Sequence, residues 1–337
     1  MLINIDGWFG GGKSVLWSLL DGHSEIFVDP VHDYSFEPFL SLDINNEWLE
    51  KKHTSSLRKF LSHSEYYKLE KMMYDKYLPI HFSASHTLNI KYKLDFYSFD
   101  NALFDNLEKL NEWSPESIAF NLYSTLDYKW NDTLDSNRKY YASMGKADSY
   151  VYYHKIPKVF PNMKSIVVRR TVENIIATRT NRKERATDLN SLGVFRADFT
   201  KLVKSGEIEK ICDYFKVIEN LESQYPDKFL LIEFHDLIKN TEKEMYKVSK
   251  FLNVKFEDIL VLPTRDGVIL EDNDVSFIGE ENDKAVDLFS KSELDKIKLH
   301  MKLYSLHGMP CNIFSLKSIF LYVFPIIKNK IIKRINK

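Results

Sequence analysis

Residues 7–14 read Gly-Trp-Phe-Gly-Gly-Gly-Lys-Ser, a full match to the pattern G-x-x-x-x-G-K-[ST]. Such a stretch binds phosphate-like anions. Glycines leave successive backbone N–H groups unobstructed, so that several converge on one anion. If a helix starts here, its amino terminus adds about half a positive charge. Gly10, Gly11, Gly12, Lys13, Ser14 and Val15 are the candidate anion-binding residues. Lys13 adds a full positive charge and Ser14 a hydroxyl.

Those residues need a strand before them and a helix after. Leu2–Ile5 is a short apolar run, and Ser14–Leu20 has helical apolar spacing, so the loop sits between strand and helix. Ile26–Val28 reads as a second strand, stopped by Asp29-Pro30. Ser165–Val168 and Phe229–Ile232 are short, apolar and β-prone, as buried parallel strands are. Helices are expected over Val151–Val159, from Val172 to about Arg182, over 187–204 and 207–224, and from Thr241 to Leu252. The expected fold class is α/β: a P-loop-like central parallel sheet flanked by helices. Residues 43–143 differ, being rich in aromatic and charged residues, with Leu57, Phe60, Leu61, Leu103, Leu107 and Leu110 at helical spacing. They read as a helical insertion or lid on the acceptor side of a single α/β domain covering 1–312.

The 337 residues are 44% hydrophobic and 28% charged, which fits a globular chain with ample core. Two cysteines, Cys212 and Cys311, form no disulfide framework and suggest a reducing compartment. Net charge is −1, so nothing global points to nucleic acid. Nine of the 47 Lys and Arg fall in residues 296–337, which hold no Asp or Glu. The start, Met-Leu-Ile-Asn-Ile-Asp, has no signal-peptide pattern, so the expected location is cytoplasmic. Residues 313–337 form a basic, apolar tail. Ile319–Ile327 is too short to span a bilayer, which takes about 20 residues. Followed by Lys328, Lys330, Lys333 and Arg334, it suits peripheral contact with the inner face of an anionic membrane.

Three segments taken together narrow the chemistry. Leu19-Leu20-Asp21-Gly22-His23 follows the loop. Phe160-Pro161, Ser165–Val168, Arg169-Arg170 and Thr178 come next, and Leu231-Ile232-Glu233-Phe234-His235-Asp236-Leu237 follows with a helix ending Phe251-Leu252-Asn253. In order and spacing the set resembles the sulfotransferases that use 3′-phosphoadenosine 5′-phosphosulfate, over about 1–35 and 145–280. The resemblance implies that this donor's 5′-phosphosulfate is held by Gly11, Gly12, Lys13 and Ser14. It also implies that the 3′-phosphate is held by Arg170 and Thr178. Arg169 is one residue out of register and could take the place of Arg170. Neighbouring strand residues face opposite sides, so one of the two serves. A late loop, Leu262–Gly267 and Asn273–Phe277, makes Arg265 a candidate nucleotide contact, and Lys146 sits where the family has Lys-[ST]-Pro.

The implied reaction moves a sulfuryl group to a hydroxyl or amine of an acceptor such as a glycan or lipid-linked glycan. It resembles phosphoryl transfer, with charge developing on leaving and peripheral oxygens. Lys13 would stabilise the leaving oxygen, and no metal is required. The acceptor proton needs a base, and His32 and Asp33 are the first choices. Glu37, His81 and His86 are rivals, while His23 looks structural. The loop departs from the family's Arg/Lys-Ser-Gly-Thr-Thr: Gly10 holds the basic position and Lys13-Ser14 replaces Thr-Thr. That departure keeps open a P-loop kinase using ATP and Mg²⁺, with Asp29 or Asp236 as metal ligand. A non-catalytic nucleotide-binding or assembly protein is the third reading.

Overall fold

The computed structural model describes residues 1–30, 36–41, 47–61, 78–79, 89–90, 94–131, 138–180, 199–270 and 288–307. Five strands form one parallel sheet in the order β2-β5-β1-β6-β7. They are β1 (Leu2–Asp6), β2 (Ile26–Val28), β5 (Tyr140–Met144), β6 (Lys164–Arg169) and β7 (Phe229–Glu233). Two short ribbons lie apart from it: β3 (Leu78–Pro79) with β4 (Asn89–Ile90), and β8 (Thr264–Arg265) with β9 (Val268–Ile269). The chain winds from β1 to one side through β2 and β5, then crosses to β6 and β7. The carboxyl end of β1 is therefore where the winding reverses, the usual place for a ligand crevice in an open α/β sheet.

Alternation along each strand splits the core into two layers. Ile3 and Ile5 of β1, Ile166 and Val168 of β6 and Ile232 of β7 pack under the helix α1 (Lys13–Leu20) and the helix Thr241–Leu252. Leu2, Tyr141, Val167 and Leu231 face the other layer, with the helices Phe96–Glu108, Pro115–Asn131 and Glu207–Gln224. On that second face β1 carries Asn4 and Asp6, both buried. The polar face of the central strand thus points into an otherwise apolar layer.

The expected strands and most helices stand. Thr241–Leu252 matches residue for residue, and the expected 207–224 helix is Glu207–Gln224. One boundary is corrected. Residues 140–143, read as part of a helical insertion over 43–143, belong to β5, which pairs with both β1 and β2. The sequence Tyr-Tyr-Ala-Ser-Met hides this, because Ala142 and Ser143 lower its apolar score while the sheet buries it on both faces. The expected helix over Val151–Val159 is mostly 3₁₀ (Ala147–Lys155), closing in one α-turn, Ile156–Val159. His32, Asp33, His81, His86, Asn273–Phe277, most of the expected 187–204 helix and the tail 313–337 lie outside the described residues.

Candidate active site

The loop runs from the end of β1 into α1 as expected. Gly12 is the amino-terminal cap of α1, in the left-handed region at φ 94°, and makes no side-chain cap. A Cβ there would meet the Phe234 ring at 2.2 Å. Only glycine serves at this position, for both reasons. The first N–H groups of α1 have no capping side chain to satisfy them, which suits them to an anion.

Lys13 lies inside. Its Nζ donates to the Gly145 carbonyl at 2.6 Å and approaches Asp6 Oδ1 at 3.4 Å. Burial lowers the lysine's pKa, and the Asp6 charge opposes that shift. Asp6 is fully buried and accepts hydrogen bonds from the Tyr153 and Tyr214 hydroxyls, the latter at 3.0 Å. Burial, then the Asp6 charge, holds both phenols well above their ordinary range.

Arg170 follows β6. Its Nη1 donates to the Gly10 carbonyl at 3.3 Å and to Thr178 Oγ1 at 3.4 Å. Its guanidinium lies over the Phe234 ring at 4.7 Å. Thr178 stands two turns along the helix Val172–Arg179 and its methyl region faces Gly10. Thr171 caps this helix, accepting from the Asn174 N–H at 3.4 Å. The structure thus brings together Gly10, Arg170 and Thr178.

Arg169 points elsewhere. Its Nε donates to Glu233 Oε1 at 2.6 Å, and a second contact goes to Glu219. In the ladder Arg169 pairs with Glu233 itself. The hydrogen bond to Glu233 is the main cause of the guanidinium's raised pKa. Between the two arginines, Arg170 is the one at the loop.

Arg265 lies over the Trp17 ring at 4.8 Å, beside Asp21 and Asp266, one turn along α1 from Lys13. Burial pulls its pKa down to about 10. Trp17 in turn donates to the Asp29 carbonyl at 3.1 Å, on the β2 side of the sheet, whereas Arg170 is on the β6–β7 side. The side chain of Asp29 accepts from Ser143 at 3.0 Å. His23 is structural as expected: Nδ1 accepts from the Glu25 N–H at 3.1 Å and Nε2 donates to the Lys255 carbonyl at 2.9 Å.

Glu37, on the helix Phe36–Ser41, lines a pocket with Asn4, Gly145, Lys146, Ser149 and Tyr153. This pocket abuts the carbonyl that holds Lys13. The sequence reading missed Asp6, Gly145, Tyr153 and Tyr214. It also missed Glu207, which accepts from Trp8 Nε1 at 2.9 Å and pairs with Arg179 at 3.1 Å. One signal was present: an aspartate just before the loop glycine, in a strand otherwise fit for burial.

A glycine loop between β1 and α1, with Arg170 and Thr178 beside it, sits on the central parallel sheet of an α/β fold. Residues 12–258 match the model of the sulfotransferase family. The chain belongs to that family and is an enzyme that transfers sulfate. Similar solved structures include a sulfotransferase domain from the curacin biosynthetic pathway, 17% identical over 90% of this chain and 97% of that chain, with a TM-score of 0.46. The sulfotransferase STF1 from Mycobacterium tuberculosis H37Rv is 14% identical over 77% of this chain and 68% of that chain, with a TM-score of 0.36. No match was found among curated proteins. No helix among the described residues is long and apolar enough to cross a membrane.

Proposed function

We propose that the donor is 3′-phosphoadenosine 5′-phosphosulfate and the acceptor a hydroxyl or amine, on a glycan or lipid-linked glycan. The observation that carries this reading is the meeting of Arg170 with Thr178 and the Gly10 carbonyl. It supplies a guanidinium fork and a hydroxyl beside the loop. In this reading Arg170 and Thr178 hold the 3′-phosphate. The N–H groups of Gly12, Lys13 and Ser14 hold the phosphosulfate, while the Gly11 and Val15 N–H groups donate to the Trp8 and Gly12 carbonyls at 2.6 and 2.9 Å and fix the turn. Arg265 contacts the nucleotide from the Trp17 side, and no metal takes part.

The sulfur–oxygen bond to the donor's bridging oxygen breaks while a bond forms from the acceptor oxygen or nitrogen. Lys13 meets the charge growing on the bridging oxygen, and adenosine 3′,5′-bisphosphate departs. The acceptor proton passes to a base in the segment 32–37. His32 and Asp33 belong to that segment, and Glu37 has the supporting geometry, because its pocket adjoins Lys13. Positioning and preorganised charge supply most of the acceleration. The basic tail brings the enzyme to the inner face of the membrane in the cytoplasm.

Thermal shift tests the donor. Adenosine 3′,5′-bisphosphate without metal should stabilise the protein, and Arg170→Ala should sharply reduce the effect. Stabilisation by ATP with Mg²⁺, and none by the bisphosphate, would favour the kinase reading instead. Radiolabelled donor incubated with an envelope extract identifies the acceptor. Loss of about 10²–10⁴-fold in turnover for Glu37→Gln, against none for His32→Ala and Asp33→Ala, assigns the base to Glu37. The reverse pattern assigns it to His32 or Asp33. Deletion of 313–337 with unchanged liposome binding would remove the membrane contact.

A further inference from the structure

The carboxylate of Asp6 has an unusual set of neighbours. It is fully buried at the end of the central strand, one residue before the loop. Two phenols from separate elements converge on Oδ2: Tyr153 from the 3₁₀ segment Ala147–Lys155 and Tyr214 from the helix Glu207–Gln224. Oδ1 faces Lys13, whose ammonium also donates to the Gly145 carbonyl. A buried carboxylate with these donors is satisfied and held in one place.

The geometry points to Asp6 as a positioning residue for Lys13. Clamped by Tyr153 and Tyr214, it parks the loop lysine as an ammonium against the Gly145 carbonyl until the donor arrives. This goes beyond the donor assignment but rests on it for the role of Lys13 in turnover. The reasoning is electrostatic. A lysine buried to this degree tends to lose its proton, and an uncharged amine could not stabilise a leaving oxygen. A carboxylate 3.4 Å away favours the charged form. The two phenols hold that carboxylate in place by hydrogen bonding to it. The other charged groups that act here are Asp148, on Lys13 and Tyr153, and Glu37, on Tyr153. Both carry the same sign as Asp6 and lie further out.

Competitive acetylation with trace acetic anhydride, read by mass spectrometry across pH, reports the ionisation of individual lysines in the intact chain without donor or acceptor. In the wild type Lys13 should label far more slowly than the exposed Lys139. In Asp6→Asn, which keeps the shape and an acceptor for both phenols, its labelling curve should move to lower pH by about one unit or more. That is a tenfold drop in the ammonium-to-amine ratio at a given pH. General loosening would move the curve the other way, toward the value of an exposed lysine. The basic limb of the turnover pH profile should move down with it, while the thermal shift by adenosine 3′,5′-bisphosphate persists.

An unchanged Lys13 curve in Asp6→Asn would overturn the proposal. So would a wild-type Lys13 that labels as fast as Lys139, a result that needs no variant to fold. Absence of any bisphosphate shift in the wild type would instead count against the donor reading, and would leave the labelling result standing.

Discussion

Two strand-to-helix junctions meet at the same edge of the sheet, and they are built on opposite plans. Where β1 enters α1 the turn is made of glycines, and the helix has no capping side chain. Where β6 enters the helix Val172–Arg179, Thr171 caps the helix from within. The first junction presents main chain, with no side chain over the start of the helix. The second satisfies its own backbone and delivers side chains instead, with Arg170 before the cap and Thr178 two turns after it. In the proposed reading one anion-binding end is therefore made of main chain and the other of side chains. The first should fail through shape and the second through charge.

Substitutions at both junctions test that contrast. The largest effect is expected from Lys13→Ala: turnover should fall by on the order of 10²–10³-fold, and the melting temperature should drop as well, because Asp6 is left buried without its partner. Retained turnover would show that the lysine does not act on the leaving oxygen. Gly12→Ala should come next, destabilising by about 1–3 kcal/mol through its left-handed backbone and further through the Phe234 ring. Chemical denaturation measures this, and a double-mutant cycle with Phe234→Ala isolates the part owed to the ring. An undisturbed Gly12→Ala would mean that the first junction does not depend on shape. Arg170→Ala should weaken bisphosphate binding by about 10–100-fold at little cost in stability, as loss of a charge-assisted hydrogen bond worth about 1.5–3 kcal/mol does. Calorimetric titration reads it, and Arg170→Lys should recover only part, because the fork is lost. The smallest effect is expected from Thr171→Ala: about 1 kcal/mol of stability by denaturation, with binding close to wild type.

The first junction was legible in the sequence and the second only partly. The loop is contiguous, and its glycines, lysine and flanking apolar runs declare it. Arg170 and Thr178 could be paired by spacing, but the choice against Arg169 needed the register. Only the ladder places Glu233 beside Arg169 and leaves Arg170 to face the loop. β5 was illegible because its small and hydroxyl residues look like neither a strand nor a core. Asp6 escaped for a different reason. Its phenol partners lie 147 and 208 positions further on, and no local pattern links residues at such range.

That reach has a consequence for how the protein is made. The loop leaves the ribosome well before its partners, for Trp8 is pinned by Glu207 and the ring of Phe234 closes over Gly12. At about 5–20 residues per second, some ten to forty seconds of synthesis separate Gly12 from Phe234. The nascent loop spends that interval without the surfaces that shape its turn. A chain stopped before β7 would carry the whole glycine signature and still have no finished cradle.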